Sequence, residues 1–242
     1  MLNAFAGSVS AFMSVPIITT MRHRVSLLSV LILAGLLLVT RAGADARRAV
    51  PEALLEQAGQ DFDQQAVARL QRWQDLLANL AGAPEAEQLA GVNAFFNAEV
   101  PFVSDLKHWQ QDDYWATPYD ILTTAGADCE DYVIAKYYSL RQLGVDTAKL
   151  RITYVKAVRL NEAHMVLTYF PTPDAVPLVL DNLINIIAPA SKRPDLVPVY
   201  SFNAEGMWLE RLKGQGILMG NPNKLDLWTD LRVRMQAQGM DL

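Results

Sequence analysis

The chain has 242 residues, a formal net charge of −5 and a single cysteine. Its length allows one domain with a substantial core, and one cysteine excludes a fold held by intramolecular disulfides. The negative charge, with no cluster of Lys or Arg to offset it, argues against nucleic acid as a partner.

Residues 1–44 have the pattern of a secretory signal. Basic residues at Arg22 and Arg24 precede an apolar run over 25–39, small residues lead to a cleavage point after Ala44, and the segment has no Asp or Glu. Because the run is shorter than the roughly 20 residues of a membrane-spanning helix, we predict a cleaved signal. An uncleaved N-terminal anchor is the alternative, and the true start stays open between Met1 and Met21.

Removal of this segment would take away three arginines and no acids, so the net charge would change from −5 to −8. The remaining 198 residues (242 − 44) begin with a helical region. Leucines and a tryptophan recur at helical spacing between Leu70 and Leu80, and the segment AGAPEAEQ separates them from a second helix over 85–98.

Residues 101–127 mix aromatic and acidic side chains and are predicted to form a loop with a short helix. A third long helix is predicted to start near Asp128 and to end at Gly144. Its apolar residues Val133, Tyr137 and Leu140 follow at i, i+4 and i+7, which indicates one buried face.

The period then changes from helix to strand. Alternating β-branched and aromatic residues predict strands over 150–158, 164–170, 177–181 and 197–202, and residues 224–238 are typical of an amphipathic terminal helix. Helices followed by consecutive strands favour an α+β fold with an antiparallel sheet.

Three residues in this framework suggest nucleophilic catalysis. Cys129 lies in the first turn of a helix, where the helix dipole favours the thiolate. If the second and third strands pair as a meander, His164 and Asp181 lie at neighbouring positions on the sheet. The histidine would then take the thiol proton and the aspartate would orient the imidazole. Each residue alone also fits a structural role: a buried Cys, a core His, a turn Asp.

Acidic residues surround the thiol: Asp128 precedes Cys129, and Glu130 and Asp131 follow it. They fit the first turn of a helix, where each favourable contact is worth about 0.3–1 kcal/mol. They also fit a calcium site, because Ca²⁺ prefers carboxylate oxygens. Neighbours on one helix cannot surround an ion, so further ligands would come from elsewhere, with the loop QQDDYWATPYD (110–120) nearest in sequence.

Three segments together resemble a known family. GADCEDYVIAKYYSLRQLGV (126–145), AHMVLTYF (163–170) and LVLDNL (178–183) are similar to the bacterial transglutaminase-like cysteine proteinases, in particular the LapG-type periplasmic adhesin-cleaving proteases. The resemblance covers roughly 85–220. It implies a papain/transglutaminase-like α+β fold in which N-terminal helices and the nucleophile helix pack on an antiparallel sheet.

Within this resemblance, Cys129, His164 and Asp181 correspond to nucleophile, base and orienting acid. Asp128 and Glu130 correspond to calcium ligands, and we add Asp131 to them. The upstream segment YWATPYDIL also matches, which places Trp115 at the cleft. We divide the chain into the signal or anchor (1–44), an N-terminal helical segment (45–84) and the protease domain (85–242).

The resemblance further implies a function. LapG-type enzymes are calcium-dependent periplasmic endopeptidases that cut a large repeat adhesin at a dialanine site near its N-terminus and release cells from a biofilm. The periplasmic domain of an inner-membrane cyclic di-GMP receptor sequesters them. Two alternatives stay open: a transglutaminase or amidase that uses the same Cys–His–Asp site, and a non-catalytic calcium-dependent binding module.

Overall fold

The computed structural model describes residues 50–209, 217–220 and 225–242. The predicted signal or anchor over 1–44 and the start at Met1 or Met21 lie outside these ranges, and they stay predictions. Among the described residues, no helix combines the length and the apolar character needed to span a bilayer.

Six helices precede the sheet and one follows it in the described ranges. They are α1 (Glu52–Asp61), α2 (Gln64–Leu80), α3 (Glu85–Glu99), α4 (Asp105–His108), α5 (Pro118–Thr124), α6 (Cys129–Gln142) and α7 (Asp226–Ala237). The helices predicted over 85–98 and 224–238 thus appear within two residues of their predicted ends. Local chemistry sets several starts: for example, the Asp63 side chain accepts a hydrogen bond from the Ala66 N–H at 2.8 Å at the start of α2.

The sheet is antiparallel throughout its described part, as predicted. Its strands are β1 (Leu150–Ala157), β2 (Glu162–Tyr169), β3 (Leu178–Leu180), β4 (Ala188–Pro189), β5 (Leu196–Phe202), β6 (Met207–Leu209) and β7 (Ile217–Gly220), in the order β4-β3-β2-β1-β5-β6-β7. The four predicted strands correspond to β1, β2, β3 and β5. The other three have two to four residues, too few for an alternating pattern to be visible.

Helix α6 occupies the centre of the molecule. It packs on α3 and against β1 and β2, and every residue from Glu130 to Leu140 is buried. The sequence predicted one buried face, but the helix is buried on all sides because other elements surround it. Its polar side chains need internal partners, and one of them, Ser139, accepts a hydrogen bond from the Trp73 indole of α2 at 2.9 Å.

The strand registers place the candidate site at one end of the sheet. Leu167 of β2 pairs with Ile152 of β1 on one side and with Leu180 of β3 on the other. Asp181 directly follows β3, and His164 lies near the start of β2. The meander predicted for the second and third strands is therefore present.

Candidate active site

A cleft with a volume of ≈ 530 Å³ opens where α6 begins beside β2. Cys129, the first residue of α6, and His164 both line it. Trp115 also lines it, as predicted, and its ring stacks on that of Phe202 at a centroid distance of 5.8 Å. The candidate nucleophile on the helix and the candidate base on the sheet therefore face the same cleft.

His164 and Asp181 are in direct contact. The imidazole Nε2 lies 2.9 Å from Asp181 Oδ1, and both side chains are buried. The Leu183 N–H donates to the same oxygen at 3.0 Å. A carboxylate can only accept hydrogen bonds, so the Nε2 of His164 carries the proton of this contact and the neutral ring keeps Nδ1 as its acceptor.

Asp181 is held in its ionised form. Burial by itself would raise its pKa, but the hydrogen bond and charge of His164, the Leu183 N–H and the guanidinium of Arg193 outweigh burial and set the pKa at about 2. The carboxylate is therefore charged at neutral pH and able to orient the imidazole.

Arg193 and Asp195 extend this contact, and sequence reasoning missed both. Arg193 Nη2 donates to Asp181 Oδ2 at 2.7 Å and to Asp195 Oδ2 at 2.8 Å. We call His164, Asp181, Arg193 and Asp195 the Asp181 network. Arg193 follows a 3-10 turn (Ala190–Lys192) in an irregular segment, where no periodic pattern marks it.

The Cys129 thiol has a different environment. It donates a hydrogen bond to Glu130 Oε2 at 3.1 Å. Burial raises its pKa, and the charge and hydrogen bond of Glu130 and the charge of Asp128 raise it further, while the Met165 N–H opposes them. With these neighbours alone, the thiol holds its proton and points to a carboxylate, although it shares the cleft with His164.

Four carboxylates gather beside the thiol, and we call Asp105, Asp113, Asp128 and Glu130 the acidic cluster. Oxygens of Asp105, Asp113 and Glu130 lie within 4.8 Å of one another, and Asp128 joins through Asp105 and through Glu130. Burial first, and then hydrogen bonding and charge repulsion from Asp128, raise the pKa of Glu130 to about 10. Burial is also the main cause of the raised pKa of Asp105, at about 6.

The acidic cluster fits a hard divalent cation. Asp105 Oδ1 and Asp128 Oδ1 are buried and have no hydrogen-bond partner within the described part of the chain, a costly state that a bound cation would relieve. Oxygen-only donors at this spacing suit Ca²⁺ better than soft metals. Asp105, Asp113, Asp128 and Glu130 are thus able to hold calcium, and Asp131 groups with Asp105 and Asp128 at the same spacing.

The remaining predicted ligand, Asp131, has another task in the structure. Its Oδ1 accepts the Ala116 N–H at 2.6 Å, and its Oδ2 accepts the Asp128 N–H at 3.2 Å. Asp131 therefore caps the start of α6 and ties the preceding loop to it. Asp131 thus supports the helix start, and because its carboxylate also groups with those of Asp105 and Asp128, it stays a predicted calcium ligand.

Sequence reasoning found part of the acidic cluster. Asp113 belongs to the loop 110–120 that was expected to supply further ligands. Asp105 was missed, because one acid at the start of the four-residue helix α4 has the pattern of an ordinary first-turn residue. Only the approach of α4 to α6 reveals it: Val103 N–H bonds to Ala127 O at 2.8 Å and fixes the two segments side by side.

The chain is similar to proteins of known family. The family model described as bacterial transglutaminase-like cysteine proteinase BTLCP matches residues 64–210. Among solved structures, Legionella pneumophila LapG is 41% identical, with 76% of this chain and 96% of that chain covered and a TM-score of 0.66. Its calcium-bound form gives 40% identity, 76% and 98% coverage and a TM-score of 0.65. Its EGTA-treated form gives 40% identity, coverage of 76% of this chain and 96% of that chain, and a TM-score of 0.66. No significant match was found among curated proteins.

Proposed function

The chain belongs to the bacterial transglutaminase-like cysteine proteinases, and on that premise we propose that it is a calcium-dependent endopeptidase of the periplasm. Its proposed substrate is a large repeat adhesin of the cell surface, cut at a dialanine site near the adhesin N-terminus, so that cleavage promotes detachment from a biofilm. The substrate, the compartment and the biological outcome are drawn from the family resemblance.

One observation carries the catalytic part of the proposal. The only cysteine of the chain lies in the same cleft as a buried His164–Asp181 pair with a 2.9 Å contact. This is the set of groups that acyl transfer through a thioester requires: a nucleophile, a base and a group that orients the base.

The reaction then follows from these atoms. His164 Nδ1 takes the proton of the Cys129 thiol, and Sγ attacks the scissile carbonyl carbon. Free N–H groups in the first turn of α6 stabilise the negative oxygen. The protonated imidazole gives its proton to the departing amine, which leaves a thioester on Cys129. Water, deprotonated by His164, hydrolyses the thioester and restores the thiol.

Calcium dependence is supported by the acidic cluster and by the calcium-bound form of the related LapG. Asp105, Asp113, Asp128 and Glu130 would hold the ion. Bound there, it would offset the negative charge that keeps the thiol protonated. These residues belong to α4, to the loop after it and to the start of α6. An ion held by all of them would therefore also fix the distances between these three segments along the cleft.

Regulation is proposed by the same resemblance. The partner is the periplasmic domain of an inner-membrane receptor that senses cyclic di-GMP and withholds the enzyme from its substrate. Mixing the purified receptor domain with the enzyme before substrate is added tests this partner: inhibition at a one-to-one ratio supports it, and cleavage at the uninhibited rate in excess receptor domain contradicts it.

The experiment for the activity uses an adhesin N-terminal fragment that contains a dialanine. Wild-type enzyme with calcium is expected to yield two fragments, and EGTA is expected to stop cleavage until excess calcium restores it. Cys129→Ala should bind calcium and fold but not cleave, while Asp112→Asn, at an acid outside the acidic cluster, should cleave normally. Proteolysis by Cys129→Ala would contradict the nucleophile assignment. A product joined to an added amine, identified by mass, would instead identify a transglutaminase.

A further inference from the structure

A buried guanidinium lies directly behind the triad acid. Arg193 is only 5% exposed, and its Nη2 donates to Asp181 Oδ2 at 2.7 Å. Resting on the proposed function of the site, we propose that Arg193 is a positioning residue of the reaction: it fixes the Asp181 carboxylate so that His164 keeps its proton on Nε2 and presents Nδ1 to the thiol.

The two oxygens of Asp181 have separate partners. Oδ1 receives His164 Nε2 and the Leu183 N–H, and Oδ2 receives Arg193. The Asp181 side chain has no exposed surface, so water cannot replace a lost partner. Without the guanidinium, Oδ2 would be a buried and unsatisfied charge. The carboxylate would then gain by turning toward other donors, and the orientation of the imidazole would no longer be fixed.

A third segment fixes the arginine itself. Asp195 Oδ1 and Oδ2 accept from Arg193 Nε at 3.1 and 3.2 Å, and Oδ2 accepts Nη2 at 2.8 Å. The guanidinium is planar and its donors are at fixed angles, so holding one edge on Asp195 sets the direction in which Nη2 meets Asp181. The carboxylate of Asp195 is 21% exposed and lies further from the reacting atoms.

Asp181 also acts by charge on Lys136 of α6. Its Nζ is buried without a hydrogen-bond partner among the described residues, and Asp181 acts on it through charge alone. An attraction without a hydrogen bond does not fix a direction. Lys136 therefore cannot take over the role of Arg193, and the two cations are distinguishable by mutation.

The test uses calcium-loaded enzyme and three variants. Arg193→Met is expected to lower kcat about 10- to 100-fold with KM changed less than about 3-fold, since this side chain does not line the cleft. Arg193→Lys, which retains a donor but loses the rigid fork, should recover part of the loss. The matched control is Arg72→Met. Arg72 makes a similar fork to Glu99, at 2.9 and 2.6 Å, on the exposed surface, and its loss should leave kcat unchanged.

A double-mutant cycle tests whether Arg193 acts through Asp181. Arg193→Met in the Asp181→Ala background should lower kcat/KM by no more than about 3-fold, because its target is gone. Losses that multiply in the double variant would overturn the proposal. If Arg193→Met does not fold, Asp195→Asn and Arg193→Lys carry the same test, with smaller expected losses.

A readout without turnover separates this proposal from the proposed function. The chain has only three histidines, so ¹⁵N NMR of the imidazoles can follow His164 in the Cys129→Ala background, at a pH where the spectrum itself shows a neutral ring. The background protein should show the Nε2–H tautomer alone, and addition of Arg193→Met should produce a mixture. An unchanged tautomer would overturn the positioning role even if the enzyme is active. An inactive wild-type enzyme with the expected tautomers would contradict only the proteolytic function.

Discussion

The two sides of the cleft use charge in opposite ways. On the sheet side, the Asp181 network pairs each carboxylate with a donor, the His164 imidazole or the Arg193 guanidinium, with contacts of 2.7–2.9 Å between successive members. On the helix side, the acidic cluster gathers acidic side chains, and the oxygens of Asp105, Asp113 and Glu130 lie within 4.8 Å of one another. The charges of the Asp181 network are balanced by the chain's own side chains, whereas those of the acidic cluster require a bound cation.

This difference has a consequence for each catalytic group. His164 has an ionised partner whose pKa is about 2, so its orientation is fixed without a ligand. Cys129 has neighbours that raise its pKa, and one of them, Glu130, accepts a hydrogen bond from the protonated thiol. The base is thus built into the fold, whereas the reactivity of the nucleophile depends on what the acidic cluster binds.

The largest expected effect comes from removing charge in the acidic cluster. The double variant Asp105→Asn, Glu130→Gln should weaken calcium binding at least about 100-fold, because Ca²⁺ affinity follows the number of charged ligands. The same variant should unfold at a higher temperature than wild type when both are free of calcium, since the buried charge of Asp105 and its repulsion by Asp128 and Asp113 are removed. Calorimetric titration and thermal unfolding measure the two effects.

Asp112→Asn is the matched control for that variant, because Asp112 lines the same cleft without belonging to the cluster. It should change neither calcium affinity nor the melting temperature. Unchanged calcium affinity in the double variant would remove the acidic cluster as the binding site and end the contrast between the two sides.

A second prediction concerns acid and the Asp181 network. The pKa of Asp181 is about 2 in the fold and about 3.9 in an unfolded chain, so its ionisation contributes about 2 kcal/mol of stability above pH 4 that is lost as pH falls toward 2. Denaturant unfolding of wild type and Asp181→Asn should therefore differ most above pH 5, and the difference should shrink below pH 4. A constant difference across that range would contradict the depressed pKa.

The acidic cluster predicts a pH dependence of the opposite sign. The pKa of Asp105 is raised to about 6, so the folded protein binds this proton more tightly than the unfolded chain. In the absence of calcium, the free energy of unfolding should rise by about 1 kcal/mol as pH falls from 8 through 6 to about 5. Denaturant unfolding of calcium-free wild type against Asp105→Asn measures it, since the variant should lack this rise. Equal slopes in both proteins would exclude Asp105 as its source.

The smallest expected effect comes from Gly126. A Cβ placed there would lie 2.6 Å from the ring of His108, and that ring is held by Thr124 Oγ1 at 2.8 Å. Gly126→Ala should shift α4, which also bears Asp105, and so weaken calcium binding by about 3-fold at a stability cost of about 1 kcal/mol. Gly59→Ala, at a site with open space, is the control for calcium affinity. The His164 tautomer should not change in either variant.

The parts predictable from sequence are those written in regular patterns. The alternation of β-branched and aromatic residues predicted β1 and β2. It placed His164 near the start of a strand, where a paired third strand brings Asp181 close to it. The thiol at a helix start was likewise visible. The roles of Arg193 and Asp105 were not visible. Arg193 follows a short turn and Asp105 lies in a helix of a single turn, and in such segments only tertiary contacts show which groups a charged side chain meets. The complete burial of α6 was hidden for the same reason, since the helices packed around it are distant in sequence.

The central claim is that a cation in the acidic cluster makes Cys129 reactive, and the only thiol of the chain gives the most direct test. Iodoacetamide alkylation at neutral pH, followed by mass spectrometry, should be at least about 10-fold faster in calcium-saturated than in calcium-free wild type, because offsetting the nearby charge lowers the thiol pKa. The Asp105→Asn, Glu130→Gln variant should show no such acceleration at the same calcium concentration. Equal alkylation rates in wild type with calcium bound and removed would contradict the claim.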